Sequence, residues 1–439
     1  MYKRIISCGV LFLILFPLFG QTWTLEKCIS YAEEHSIDLK RQAHAIDRER
    51  LALQEGEWAF VPRLSASTTY TMSTGRVLDP TTYEFVKTNY TGNNSASVSS
   101  DITLFEGGRK IHALARAKLS LRAALLQEQS LKYNLRIQVA GAFMDVLCAR
   151  EQERIAGETV SLIESQLSRT QSMFDAGSVT ETDVLQLQTQ LSAARKDASS
   201  ALYAYDRARL ALCDLLEWED YAHFEVAEPV ELAPERLDID VDAILDNHPD
   251  IRAAALRKDL AGVDYKLALA AISPRLSLSA GFGTSFSDAR QKALFNKDGT
   301  IRYEAYPFFE QYADNGSAYV SMSLSIPILN GLSTRNGIKR ARIAAAETDL
   351  NAQETRKKVR RQILQAQMDC VSAKERYEHS REEARYAEAV FRQVDRKYNL
   401  GAVDLLRWNT AAVDLAKAWY AVAEAKYTWL LRSMILDCY

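Results

Sequence analysis

The chain is written twice. Pro62-Arg63-Leu64-Ser65 recurs as Pro274-Arg275-Leu276-Ser277, 212 residues later, and Ile37-Asp38-Leu39 stands against Pro249-Asp250-Ile251 at the same offset. Leu104-Phe105-Glu106-Gly107 and Phe174-Asp175-Ala176-Gly177 match Ile328-Leu329-Asn330-Gly331 and Tyr398-Asn399-Leu400-Gly401 at an offset of 224. The added 12 residues mark an insertion where each copy carries a loop. A duplicated chain must be read as two copies of one supersecondary unit. None of the nine prolines falls in residues 81–228 or 328–439, and these spans are rich in Ala, Leu, Gln, Glu, Lys and Arg. Such stretches favour long helices over a compact α/β domain.

Each copy reads helix, strand, loop, strand, long helix, turn, helix. Leu64, Ala66, Thr68, Tyr70 and Met72 alternate with Ser65, Ser67, Thr69 and Thr71, and Ala96, Val98, Ser100, Ile102 and Leu104 alternate with Ser97, Ser99, Asp101 and Thr103. In the second copy Leu276, Leu278, Ala280 and Phe282 alternate with Ser277, Ser279, Gly281 and Gly283, and Val320, Met322, Leu324 and Ile326 with Tyr319, Ser321, Ser323 and Ser325. Strands are predicted at 63–73, 95–105, 275–286 and 318–327. An apolar face opposite one of small hydroxylic side chains suits a strand between lipid and water, with Leu64, Val98, Leu278 and Met322 outward. A half-buried strand of a soluble sandwich carries the same alternation. Four strands cannot close a membrane barrel, which needs about eight or more and tolerates no open edge in lipid. The chain must then oligomerise: three copies supply twelve strands, and two supply eight. The loops, 74–94 and 287–316, carry aromatics suited either to an interfacial girdle or to anchoring the loops.

Val184, Leu187, Leu191, Ala194, Ala198, Ala201, Tyr205, Ala208, Leu212 and Leu215 step by three and four, as do Ala411, Leu415, Ala418, Val422, Ala425 and Trp429. That is a heptad seam of small residues. The long helices, at 109–175 and 333–399, carry a second stripe and so pack two neighbours. Each spans about 100 Å at 1.5 Å per residue. The shorter helices at 24–59 and 181–215, and at 240–271 and 404–436, nearly match that length when summed, which predicts a cylinder of helices.

Residues 1–20 are read as a signal peptide: Lys3-Arg4, an apolar run to Phe19, and a small-residue cleavage point at Gly20-Gln21. Residues 21–215 form the first repeat, 216–239 the crossover and 240–439 the second repeat. Nothing later provides an apolar run long enough for a transmembrane helix. The net charge of −3 excludes a polycation, so no nucleic-acid partner is expected. Cys28, Cys148, Cys213, Cys370 and Cys438 lack CxxC spacing and read as small buried hydrophobes.

The paired entries at Asn247 to Ile251 and His35 to Leu39, Pro-Arg-Leu before the strand, Leu104-Phe105-Glu106-Gly107-Gly108-Arg109 after it, and Gly177-Ser178-Val179-Thr180-x-x-Asp183-Val184-Leu185 together resemble the TolC-like outer-membrane efflux protein family. The resemblance covers essentially the whole chain after residue 20. It implies a mostly α protein with membrane β: a homotrimer whose 12-stranded outer-membrane β-barrel continues as a periplasmic α-helical barrel. It further implies docking to a periplasmic adaptor and an inner-membrane transporter in an efflux or type I secretion system, as a passive exit duct without cofactor. The turns carrying Phe174, Ala176 and Gly177 and Tyr398, Leu400 and Gly401 become the adaptor contacts. An acidic aperture ring is implied six residues after each turn glycine. The first copy has Asp183 there, but the second has Arg407. A pairing of Asp183 with Arg407 across adjacent coiled coils, with Asp404 as the remaining acid, is therefore the gate to test.

Catalytic readings fare poorly. His248-Pro249-Asp250 reads as a proline-started helical turn, Asp238, Asp240 and Asp242 as a solvated helix start, and no GxSxG, HExxH or phosphate loop is present. An exported coiled-coil adaptor bridging membranes is the alternative; it predicts helices without amphipathic strands. A solute-selective porin does not account for the 67-residue helices.

Overall fold

The computed structural model describes residues 22–78, 85–228 and 240–437. The expected signal peptide at 1–20, part of the crossover, Asp238 and Cys438 lie outside these residues. The first copy runs α1 (Leu25–His35), α2 (Ile37–Trp58), β1 (Arg63–Leu78), β2 (Phe85–Phe105), α3 (Arg109–Asp175) and α4 (Glu181–Leu216). The second runs α5 (Val241–Asn247), α6 (Pro249–Ala270), β3 (Arg275–Ser287), β4 (Gln291–Phe295), β5 (Ile301–Ala305), α7 (Phe308–Asp314), β6 (Ser317–Ser325), α8 (Ser333–Asn399) and α9 (Leu405–Asp437). It is a duplicated helix, strand, strand, long helix, helix unit, with α3 and α8 both 67 residues long.

The structure differs from the sequence reading in three places. The single helices expected at 24–59 and 240–271 are each broken at one residue, Ser36 and His248, at equivalent positions of the two copies. Both residues leave the helical region, with ψ 125° and 129°. Before Pro249 the helical conformation is sterically disfavoured; in the first copy the Ser36 hydroxyl accepts the Leu39 N–H at 3.5 Å and restarts the helix. Secondly, β1 and β2 reach into the span expected as a loop, 74–94, pairing from Gly75↔Thr88 to Leu78↔Phe85 beyond a bulge at Ser73/Gly75. Gly75 takes φ +114° there, which a side chain would oppose. Thirdly, loop 287–316 contains the β4–β5 hairpin and α7.

The chain divides into two compact units. One comprises Met1–His44, Leu126–Arg252 and Glu354–Tyr439, and its described residues are mostly helical. Its largest core gathers Trp23, Cys28, Phe143, Leu147, Leu212, Phe224 and Tyr427 around a parallel bridge between Trp23 and Val226. Burial pushes the Cys28 thiol up to about 12 and those of Cys148 and Cys213 to about 11. None of the four described cysteines forms a disulfide. A second core joins α3, α4, α8 and α9 through Ile163, Leu187, Leu191, Val394, Tyr398, Leu405 and Trp408. The Trp408 indole N–H donates to Asp395 at 2.9 Å, so its buried polar edge is satisfied.

The other unit comprises Ala45–Leu125 and Ala253–Gln353. It holds an antiparallel sheet in the order β1-β2-β3-β6, leaving β1 and β6 as its edges. On β3, the buried Gln311 of α7 receives the Ser287 N–H at 3.0 Å and donates to the Ser287 and Tyr306 carbonyls. Phe308 packs on Phe286 and Tyr312, with centroids 4.9 and 4.3 Å away. These aromatics anchor the loop.

Candidate functional site

The sheet's register fixes its chemistry. Ala66 pairs with Val98, Val98 with Phe282, Ile102 with Leu278, Leu278 with Met322 and Ala280 with Val320. Because side chains alternate across a strand, these partners share one face. The opposite face aligns Ser67, Ser97 and Gly283, then Ser65, Ser99 and Gly281, then Thr103, Ser277 and Ser323. Ser65 and Ser99 share a hydrogen bond of 3.0 Å, as do Ser67 and Ser97.

The apolar face is open within the single chain. Leu64 is 76% exposed, Val320 75% and Met322 65%; Val98 is also exposed and Leu278 half-buried. A continuous apolar surface of this kind marks a contact with lipid or another chain. The serine face is open as well, and both edge strands offer unpaired backbone groups. No described helix is long and apolar enough to cross a membrane.

At the ends of α3 and α8 the two copies build the same turn. Gly177 N–H donates to Phe174 O and Ser178 N–H to Met173 O, each at 2.8 Å. Gly401 N–H to Tyr398 O at 2.9 Å and Ala402 N–H to Lys397 O at 2.8 Å repeat the pattern. These paired bonds close a helix through a left-handed residue, and the glycines have φ +76° and +70°. Phe174, Ala176, Gly177, Leu400 and Gly401 are exposed, Leu400 at 83%. Tyr398 differs from its neighbours: it is only 6% exposed, inside the four-helix core, with its hydroxyl 3.4 Å from Thr170 Oγ1.

The expected aperture residues sit at the helix starts that follow. The Asp183 carboxylate accepts the Thr180 N–H at 3.0 Å and its hydroxyl at 2.8 Å, completing a capping box for α4. Asp404 accepts the Arg407 N–H at 3.0 Å and caps α9. The Arg407 side chain is exposed and makes no ion pair among the described residues. His248 accepts the Asp250 N–H at 3.2 Å and starts α6, while the Ser130 hydroxyl donates to Asp250 at 2.8 Å. Burial lowers the His248 pKa. Asp240 caps α5. The described residues contain no cluster of metal-binding side chains.

Sequence reasoning missed one group of charged residues at the helix-proximal end of the serine face. Arg63, Asp101, Glu106, Arg109, Lys110 and Arg275 line a cavity of 520 Å³. The repeated Pro-Arg-Leu motif pointed to Arg63 and Arg275, but only the register brings them together.

A solved structure of the Campylobacter jejuni CmeC outer membrane channel superposes on this chain with TM-score 0.80, at 16% identity, covering 94% of this chain and 84% of that one. The open-state Neisseria gonorrhoeae MtrE outer membrane channel gives TM-score 0.75 at 17% identity, covering 94% and 88%. These likenesses concern the fold. In sequence, the chain is 25% identical over 340 residues to the pyoverdine export outer membrane protein OpmQ of Pseudomonas putida, covering 75% of this chain and 65% of that protein. It is 25% identical over 338 residues to the alkaline protease secretion protein AprF of Pseudomonas aeruginosa, covering 74% and 65%. The chain thus spans just under two thirds of the length of these relatives. The family model for outer membrane efflux proteins matches residues 28–216 and 241–437, one segment per repeat. The chain belongs to the outer membrane efflux protein family.

Proposed function

We propose that this chain is the outer-membrane exit duct of a tripartite efflux or type I secretion system. Three copies close a 12-stranded barrel in the outer membrane, with the helical segments in the periplasm, and cargo passes from an inner-membrane transporter and a periplasmic adaptor to the exterior. One observation carries this reading: a four-stranded sheet whose aligned apolar and serine faces are both open and whose two edges are unpaired. Lipid covers the apolar face, neighbouring copies pair the edges, and water fills the space against the serines. An exported coiled-coil adaptor has no use for such a sheet. The duct performs no covalent chemistry and needs no cofactor.

On this reading the turns at Phe174, Ala176 and Gly177 and at Leu400 and Gly401 meet the adaptor. Tyr398 holds the second turn from within. Asp183, Arg407 and Asp404 stand near the aperture, with Asp183 and Arg407 of adjacent coiled coils pairing when it is closed. The related proteins named for pyoverdine export and protease secretion are consistent with either kind of cargo. Purified protein in detergent is expected to migrate as a trimer that heat converts to monomer, and to open discrete conductance steps in planar bilayers. A monomer without conductance overturns the proposal.

A further inference from the structure

The cation cluster at the end of the serine face has a use beyond passive conduction. Within the region of β1 to Thr71, β2 from Ser95 to Ser99 and β3 to Gly283, that face carries hydroxyls and glycine, and β6 adds serines and Tyr319. Charge enters only where the strands meet the helices. Arg63 lies opposite Asp101, which lies beside Ser279; Arg275 lies opposite Ser325, so the second copy supplies no acid. Gly107 and Gly108, at φ +64° and +78°, turn the chain sharply from β2 into α3 and bring Arg109 and Lys110 to the same cavity.

Four cations and two carboxylates, Asp101 and Glu106, line this space. Arg275 donates to the Thr103 hydroxyl at 3.3 Å and Lys110 to the Thr103 carbonyl at 2.9 Å, contacts that position both charges without neutralising them. Among the described residues none of the four cations makes an ion pair, although Arg63 faces Asp101 across the ladder. The excess is two positive charges per copy.

We propose that this cluster, repeated around the trimer, forms a cationic belt in the lumen that favours anionic permeants, those bearing carboxylate or phosphate groups. The inference rests on the duct reading, which puts the serine face on the water-filled side. A low-dielectric wall around a water-filled passage focuses the field of such a ring, and rings of Arg and Lys select anions as acidic rings select cations. The charges stand on strand ends and a helix start, so their spacing is fixed by the scaffold.

Reversal potentials across planar bilayers under a potassium chloride gradient test it. Wild-type channels are expected to prefer chloride. Arg63→Ser with Arg275→Ser should lower the chloride-to-potassium permeability ratio by roughly threefold or more. Asp101→Asn, which removes a charge without removing a cation, should raise that ratio. Wild-type channels that prefer potassium, or a ratio unmoved by both variants, overturn the belt and leave the duct standing. Wild-type trimers without any conductance overturn the duct reading, and the belt with it.

Discussion

At Gly107 and Leu332 the duplication exposes the cost of single backbone conformations. A Cβ on Gly107 lies 2.2 Å from Ser273 Oγ and 2.4 Å from its Cβ, at φ +64°. Gly107→Ala combines left-handed strain of about 1–2 kcal/mol with a clash of about 1–3 kcal/mol. We expect a loss of about 2–4 kcal/mol in urea unfolding of the detergent-solubilised protein. Leu332, matching Gly108, already sits at φ +62° and is half in solvent. Leu332→Gly relieves strain but loses apolar contact and adds chain entropy, so it should stay within about 1 kcal/mol of wild type. A silent Gly107→Ala contradicts this account. His248 provides the pH term. Its folded pKa lies below the ordinary 6.5, because burial disfavours the imidazolium more than Asp250 favours it. The unfolded chain therefore binds the proton first, and stability falls as pH drops below about 6.5. Asn at this position keeps an acceptor for the Asp250 N–H but does not titrate. His248→Asn should flatten the pH dependence of the unfolding midpoint between neutral and mildly acidic pH; an unchanged slope would show that other groups set it.

Among elements, the turns after α3 and α8 are the sharpest test of docking, because their glycines have a structural duty that explains them without any partner. Ala176 and Ala402 flank those glycines, are exposed and carry no such duty. Ala176→Trp and Ala402→Trp should block export while leaving trimers intact; normal export from both removes the turns from the adaptor interface. The gate is a finer matter. Asp183 already serves its own helix cap, so an additional pairing with Arg407 is worth about 0–1 kcal/mol per copy. Arg407→Glu should raise single-channel conductance, and Asp183→Arg in addition should restore the low value despite losing a cap worth about 1 kcal/mol. Unchanged conductance in Arg407→Glu excludes this gate.

For the whole molecule, what was legible followed the range of the signal. Alternation from Leu64 to Met72 is local, so the faces of β1 could be read directly, and glycines at 107–108 and 177 punctuate α3 at both ends. The one-residue break at Ser36 could not be seen in periodicity, since the apolar stripe resumes at once, whereas Pro249 marks the matching break at His248. The outer extension of β1 and β2 lacks alternation, and its pairing follows from the hairpin already begun below it. The β4–β5 hairpin carried a turn signal, Asp298-Gly299, that polar surroundings masked. Arg63, Arg109 and Arg275 are remote in sequence and meet only through register.

The central claim is that the apolar face of this sheet meets lipid and its serine face meets water. Single cysteines at Met322 and Ser321, adjacent on β6 and introduced once the native cysteines are replaced by alanine, separate the faces directly. Each variant, labelled with an environment-sensitive fluorophore and reconstituted as trimers into lipid vesicles, is challenged with lipid-tethered and with water-soluble quenchers. The label of Met322→Cys should be quenched from the lipid and that of Ser321→Cys from the water. The opposite pattern, or equal quenching of both from water, contradicts a membrane-spanning barrel built from these strands.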